Sequence, residues 1–459
     1  MASSVGLALT IHRHDPTPLP TQIAFQVRSL ITRGALDRGE KVPATRALAA
    51  ELSVSRGVTE AAYEQLIAEG WLVGRRGSGT FVTATGDHVS VQRRPRSPRR
   101  AAAAPTVSLD TGTPWIDPQH AALWRRAWRE MSAQTPPTAY PPSRGLLALR
   151  ELVRDDLVAR RGIACDTEHV MISTGTTDGL RQVLAALPPG SVAVEDPGYR
   201  AAVATIRASG RAVHDVPVDS EGANLAATRI PDDLRALYVT PAHQHPTGVT
   251  MSASRRMELL RLSQARGILL IEDDYDSQFR YDVAPLPALA SLDRDAVVHL
   301  GTTSKSVMPG LRLGWIAANA SLMAGVAQHR QATHDLTPWP VQRAYLAMMR
   351  DGYADQLVRA ARRIYAARER WITKALEPYG QIARPVAGMY LTLRMDHERA
   401  SRAHRRCAQR GVHVPLLADY GRTHRLNGLV VGFGGTPERA LREAVATLVA
   451  ALSEPKARG

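Results

Sequence analysis

The chain has 459 residues, 44% hydrophobic and 22% charged, the proportions of a globular protein that buries a large core and is too long for one small domain. No apolar stretch is long enough to span a membrane, the N-terminus lacks the apolar core of a secretory signal, and Cys165 and Cys407 are too few and too far apart for a disulfide framework; a reducing cytoplasm is expected. The net charge of +15 and pI of about 10.3 are high for an enzyme of small amino acids and suit a partner with a phosphate backbone; residues 1–105 hold 14 basic against 8 acidic residues, about twice the basic excess per residue of the rest.

In chain order, the first element is an amphipathic helix from Leu19 to about Arg33, with Ile23, Val27, Leu30 and Ile31 on one face. A turn at Gly39–Pro43 follows. Thr45 is placed to cap a short helix over Arg46–Leu52. Ser53-Val54-Ser55 breaks the chain before a helix over Arg56–Glu69. Short helix, turn and helix form the arrangement that lays a recognition helix in the DNA major groove. Two short strands, Trp71–Val73 and Thr80–Val82, flank the basic hairpin Gly74-Arg75-Arg76-Gly77-Ser78-Gly79, which reads as a wing. Residues 85–107 contain five arginines between Arg93 and Arg100, no acid there, and no apolar periodicity; they are expected to be a flexible basic linker.

Beyond it, Val170-Met171-Ile172-Ser173 reads as a strand running through Thr174-Gly175 into a helix from about Thr176, whose free N–H groups would form an anion site. Ile268–Ile271 reads as a buried strand ending in Glu272-Asp273-Asp274-Tyr275-Asp276. Acids at that edge lie where open α/β sheets bind ligands, although capping a following helix is by itself the commoner role. A carboxylate there could pair with a protonated pyridine nitrogen, and a Tyr hydroxyl could hold a ring oxygen. Lys305 lies in Gly301-Thr302-Thr303-Ser304-Lys305-Ser306 and is one of only four lysines among 58 basic residues. Where a guanidinium would do, this chain uses Arg; a Lys amine can lose its proton and attack an aldehyde. With Thr302, Ser304 and Arg312 nearby, the segment suits an aldehyde that carries a phosphate.

The segment VPATRALAAELSVSRGVTEAAYEQLIAEGWLVGRRGSGTFV resembles the GntR winged-helix family. The resemblance implies DNA contacts for Arg46, Ser55, Arg56 and Thr59, and for the wing at Arg75, Arg76 and Gly77. Glu60 departs from the family by replacing a basic residue; it would repel phosphate or accept from a cytosine amino group. Residues 106–453 resemble the fold-type I, pyridoxal-phosphate-dependent aminotransferases, through YPPSRGLLALR at 140–150, Gly175, VEDPGY at 194–199, TPAHQHPTG at 240–248, IEDDYD at 271–276, GTTSKS at 301–306 and LRLGW at 311–315. The fusion resembles the MocR/GabR group of bacterial transcription regulators.

That resemblance implies an α/β chain in three parts. They are a winged helix-turn-helix head at 15–84, the linker at 85–107, and a body at 108–453 with a mostly parallel sheet and a smaller C-terminal α/β subdomain. It implies pyridoxal 5'-phosphate as cofactor, with Lys305 as the Schiff-base lysine, Asp273 on the pyridine nitrogen and Tyr275 on the phenolic oxygen. Gly175, Thr176, Thr177, Thr302, Ser304 and Arg312 are assigned to the phosphate end, and Tyr199 beside the ring. Tyr140 resembles the tyrosine that reaches the neighbouring subunit's phosphate, which implies a domain-swapped homodimer. His245 stands where aminotransferases carry the Asn that bonds the ring oxygen, a departure that disfavours turnover. Arg425, with Arg200 and Arg422 behind it, is the candidate for an effector carboxylate. The expected protein is a regulator that binds operator DNA and senses an amine, an amino acid or the cofactor itself. A working aminotransferase with an accessory head is the alternative.

Overall fold

The computed structural model describes residues 7–83, 107–281 and 286–454. Its contacts divide the chain into two units, one within residues 1–101 and the other within 102–459.

The first unit has one small core. Helix α1 (Leu19–Thr32) starts at a proline-containing first turn and buries Ile23, Ala24, Val27 and Ile31, with Leu30 partly covered. Strand β1 (Lys41–Val42) leads into α2 (Thr45–Glu51) and α3 (Arg56–Ala68), and the hairpin is β2 (Leu72–Arg75) with β3 (Gly79–Val82). The sheet order is β1-β3-β2, so a strand absent from the sequence reading closes the wing's inner edge. Leu7 is buried on this core and Leu9 and Ile11 pack against it, so the unit extends upstream of residue 15. Thr45 does not cap α2: the cap position is Ala44, with no side-chain bond.

The second unit opens with β4 (Val107–Ser108), α4 (Ala121–Ser132) and α5 (Leu147–Arg161). Residues 84–106, nearly all of the expected linker, lie outside the described residues; Val107, its last residue, is already paired with Val412. The central sheet has eight strands: β5 (Val170–Ser173), β6 (Ser191–Asp196), β7 (Val213–Asp219), β8 (Gly222–Ala223), β9 (Leu234–Val239), β10 (Leu269–Asp274), β11 (Val297–Thr302) and β12 (Gly314–Ala317). Their order is β5-β12-β11-β10-β9-β6-β7-β8. Neighbours from β11 to β7 run parallel, and β12 lies antiparallel between β11 and β5. Strands β5, β6, β9, β10 and β11 therefore all end at one edge, the place where such sheets collect ligand-binding loops.

Side chains alternate across each strand, so the sheet is buried on both faces. Leu270 of β10 joins one apolar core and Ile271 the other. The covering helices are α6 (Thr176–Ala186), α7 (Arg200–Ala208), α8 (Ala253–Arg266), α9 (Ala320–Thr333) and α10 (Trp339–Arg350). The long helix α11 (Tyr353–Leu376) leads to the second lobe, which has its own core. There β13 (Gln381–Ile382), β14 (Tyr390–Arg394) and β16 (Gly428–Gly432) form a sheet against α12 (His397–Gln409) and α13 (Glu438–Ser453). Strand β15 (Val412–His413) pairs with β4.

Candidate functional site

The edge where those strands end holds a cavity of about 220 Å³. Its lining includes Thr176 and Thr177 after β5, Tyr199 after β6, Thr240 and His245 after β9, Asp273 and Tyr275 at the end of β10, Thr302 at the end of β11, and Ser304, Lys305 and Arg312 after it. Thr111, Gly112 and Pro309 complete it.

The four acids at and just past the end of β10 are held differently, although Glu272 and Asp274 both lie near His299. Glu272 is fully buried and accepts the backbone N–H groups of Leu289 at 2.8 Å and Ala290 at 3.1 Å, a structural role. Asp274 pairs with Arg161 at 2.6 Å, and Asp276 with His243 at 2.7 Å. Asp273 alone lines the cavity. Its Oδ2 accepts from the Tyr238 hydroxyl, and its buried Oδ1 has no hydrogen-bond partner. Burial pushes this carboxyl up to about 7; the Tyr238 bond opposes the shift and the charges of Asp274 and Asp276 add to it.

Across the cavity, Lys305 Nζ donates to the Gly112 carbonyl at 2.6 Å. Burial lowers its amine below the ordinary Lys range, against the pull of Asp276, Asp110 and Asp273, which brings it towards the neutral, nucleophilic form. The Tyr275 hydroxyl donates to the His243 carbonyl at 2.9 Å and lies 2.9 Å from the Tyr390 hydroxyl. His245 sits among the rings of Tyr199, Tyr275, Tyr390 and Tyr420, with centroids 5.3–6.1 Å away. Burial, helped by the nearby Lys305 and Arg200 charges, pushes its imidazole down to about 3, which favours the neutral form.

The other end of the cavity gathers hydroxyls and a guanidinium. Gly175 precedes α6 at φ +109°, and a Cβ there would lie 3.6 Å from the Arg312 guanidinium nitrogens and 3.7 Å from Thr302 Oγ1. Gly175 thus shapes this end by leaving it open rather than by lining it. Thr302 Oγ1 and Ser304 Oγ are 2.9 Å apart, and Arg312, held at φ +48°, forms no ion pair among the described residues.

Pyridoxal 5'-phosphate, the group implied by the sequence resemblance, fits these residues. The orphaned Asp273 Oδ1 suits a protonated ring nitrogen, the hydroxyls and Arg312 suit a phosphate, and Lys305 suits an aldehyde. Tyr140 does not enter this cavity: it is 78% exposed and its ring lies 5.1 Å from that of His334. None of the three candidate effector arginines lines the cavity either. Arg422 is committed to Asp215 at 2.7 Å and to the Glu195 carbonyl at 3.0 Å. Arg200 lies over the Tyr420 ring at 4.8 Å, one aromatic layer behind His245, and Arg425 is exposed.

On the head, Arg46, Ser55, Arg56, Arg75, Arg76 and Gly77 are exposed. Gly77 takes φ +77° at the hairpin tip, and the Arg75 guanidinium lies over the Phe81 ring at 4.9 Å. Arg56 is bonded to Glu60 at 2.6 Å, so the departure from the family is spent on an i,i+4 pair. Thr59, by contrast with the expected DNA contact, is fully buried, and its hydroxyl donates towards the carbonyls of Thr45 and Arg56, both at 2.9 Å; it joins α2 to α3 and faces inward.

Fold and site together define a fold-type I aminotransferase-like body on a chain that also carries a winged helix. Residues 105–426 match the family "Aminotransferase class I and II", and residues 19–82 match "Bacterial regulatory proteins, gntR family". The pyridoxine biosynthesis transcriptional regulator PdxR of Corynebacterium glutamicum is 34% identical over 452 residues, 97% of this chain and 99% of its own. The transcriptional regulator TauR of Rhodobacter capsulatus is 33% identical over 79% of this chain and 81% of its own. Among solved structures, the α-aminoadipate aminotransferase LysN of Thermus thermophilus superposes with a TM-score of 0.66 at 25% identity, over 75% of this chain and 92% of that one. The chain belongs to the MocR-type transcriptional regulators, DNA-binding proteins with a GntR head and a class I/II aminotransferase body. No helix among the described residues is long and apolar enough to cross a membrane.

Proposed function

We propose that this regulator binds operator DNA through α3 and the wing, and that its body reads a small amine or amino acid, or pyridoxal 5'-phosphate itself, at Lys305. The observation that carries the reading is the pairing, in one cavity, of the desolvated Lys305 amine with the orphaned Asp273 carboxylate. Bound there, pyridoxal phosphate supplies an aldehyde carbon and an electron-withdrawing ring. The protein's own groups do the rest. Lys305 would offer the amine, Asp273 would keep a proton on the ring nitrogen, Tyr275 would serve the ring oxygen, and Thr176, Thr177, Thr302, Ser304 and Arg312 would hold the phosphate. Tyr199 would pack beside the ring. A carboxylate on the effector would be taken by Arg425 or Arg200. Arg422 is a weaker candidate because Asp215 already holds it.

The exposed Tyr140 supports a domain-swapped homodimer, in which it would complete a partner's cavity. Such a dimer would present two heads to two half-sites from a cytoplasmic, nucleoid-associated position. The presence of Lys305, Asp273 and Tyr275 in one cavity favours residual transamination as a second reading. The neutral His245 in place of an Asn argues against efficient turnover. Operator affinity measured with and without a panel of amines, for wild type and Lys305→Ala, tests the proposal. Lys305→Ala is expected to keep the operator and lose the response; a response unchanged in the variant refutes it. Steady-state turnover comparable to an aminotransferase would establish the second reading.

A further inference from the structure

The residues that open the body are clamped to the second lobe. The Leu109 N–H donates to the His413 carbonyl at 2.9 Å, and the Gly432 N–H donates to the Leu109 carbonyl at 2.8 Å. A Cβ on Gly432 would lie 1.7 Å from the Asp110 carbonyl oxygen, and one on Gly435 would lie 2.3 Å from Thr113 Cγ2, so only bare backbone fits at those points. Asp110 then folds a tight turn. Its Oδ1 accepts from the Gly112 N–H at 2.7 Å, the Thr113 N–H at 3.2 Å and the Thr113 hydroxyl at 3.2 Å. The turn aims the Gly112 carbonyl into the cavity, where Lys305 Nζ meets it at 2.6 Å. Lys305 follows β11 of the central sheet, whereas β4 is paired to the second lobe, so this bond is among those that join the two lobes at the cavity.

We propose that Asp110 is a positioning residue. It sets the Gly112 carbonyl as a competing partner for the Lys305 amine, and the 110–113 turn passes the state of Lys305 to the chain that leads to the head. The inference rests on the reading of Lys305 as the cofactor lysine. When the amine condenses with an aldehyde, a C=N bond forms, the nitrogen gives up two hydrogens, the aldehyde gives up its oxygen, and one water leaves. The nitrogen would then be drawn from the Gly112 carbonyl. An incoming amine that takes over the aldehyde carbon returns a free Nζ to Gly112. The turn is therefore held when the amine is free and released when it is condensed. Residues 107–113 continue directly from the segment that joins the head, so that difference enters the chain within six residues of β4's first residue.

The test uses the full-length protein and a duplex selected by wild type from a random library. Operator affinity is measured with and without saturating pyridoxal 5'-phosphate for wild type, Asp110→Ala and Asp110→Asn. Absorbance reports cofactor attachment and a thermal melt reports folding. Wild type should shift about 2- to 10-fold on loading, the net worth of one hydrogen bond. Asp110→Ala should take up the cofactor and lose the shift. Asp110→Asn, whose Oδ1 remains an acceptor, should keep it. A shift that survives in Asp110→Ala, that is lost equally in Asp110→Asn, or that is absent from attached wild type overturns the proposal. Failure of wild type to attach the cofactor at Lys305 overturns the cofactor reading instead. Amide exchange over residues 107–116 adds a test free of Asp110 variants. Loading should change it in wild type and not in Lys305→Ala carrying the cofactor non-covalently; an equal change in both overturns the proposal.

Discussion

Asp273→Asn should make the cofactor-free protein more stable at alkaline pH while weakening its hold on the cofactor. Burial raises the Asp273 carboxyl from 3.8 to about 7, so the folded protein binds this proton more tightly than the unfolded chain. The sign follows from linkage. Below about pH 4 the group is protonated in both states and costs nothing. Between about pH 4 and 7 the unfolded chain ionises first, and stability falls. Above about pH 7 the full penalty is present. Three pKa units correspond to a ceiling of about 4 kcal/mol. Asn keeps an acceptor for Tyr238 and carries no charge to desolvate. Denaturant unfolding of both proteins without cofactor, from pH 5 to pH 8.5, should show a stability difference that grows with pH in favour of the variant. With cofactor the order should reverse, because only the carboxylate can pair with a protonated ring nitrogen. A difference that is flat with pH, or a variant less stable than wild type at pH 8.5, would refute the reasoning.

Borohydride reduction of the loaded protein should fix the cofactor on Lys305; an adduct mapped to Lys41, Lys374 or Lys456 would contradict the site. Neutralising Arg46, Arg56, Arg75 and Arg76 together should weaken DNA binding without altering the cofactor spectrum. Each lost phosphate contact should lower the magnitude of the slope of log affinity against log salt by about one, and an unchanged salt series would exclude these residues from the interface. Thr59→Val should destabilise the head by about 1 kcal/mol through the lost bonds to Thr45 and Arg56 while leaving base preference unchanged, as read by head unfolding and duplex selection.

Local pattern carried much of this architecture. The apolar stripe of α1, the break at Ser53-Val54-Ser55 and the basic hairpin each come from a few adjacent residues, and the structure has α1, α2, α3, β2 and β3 within a residue or two of the readings. The cavity residues after β5, β10 and β11 were legible because each follows a short apolar run into a polar turn. What stayed hidden depends on tertiary closure. Gly112 meets Lys305 across 193 positions of sequence, and nothing in Asp110-Thr111-Gly112-Thr113 marks a ligand pocket. Tyr238 reads as one more apolar strand residue until β9 is set beside β10. The family resemblance implies a DNA contact for Thr59, but the helical turn that exposes Arg56 carries Thr59 inward against α2. Strand β1, two residues long, offers no period to detect.

The head and the body share no chemistry: one meets phosphates and bases, the other an aldehyde and an amine. They can influence each other only through an equilibrium that both bias. Linkage then makes a demand independent of any structural route. If cofactor loading at Lys305 changes operator affinity by some factor, saturating operator must change cofactor affinity by the same factor. Titrating pyridoxal 5'-phosphate by absorbance, with and without the selected duplex, measures that factor from the other side. Agreement between the two, followed by loss of both in Asp110→Ala, would place the coupling on the 110–113 turn. If instead both factors persist in the variant, the coupling is real but runs through other contacts between the lobes. The bond of Thr392 Oγ1 to the Pro246 carbonyl, or the Tyr275–Tyr390 pair at 2.9 Å, would then be the next bridges to cut.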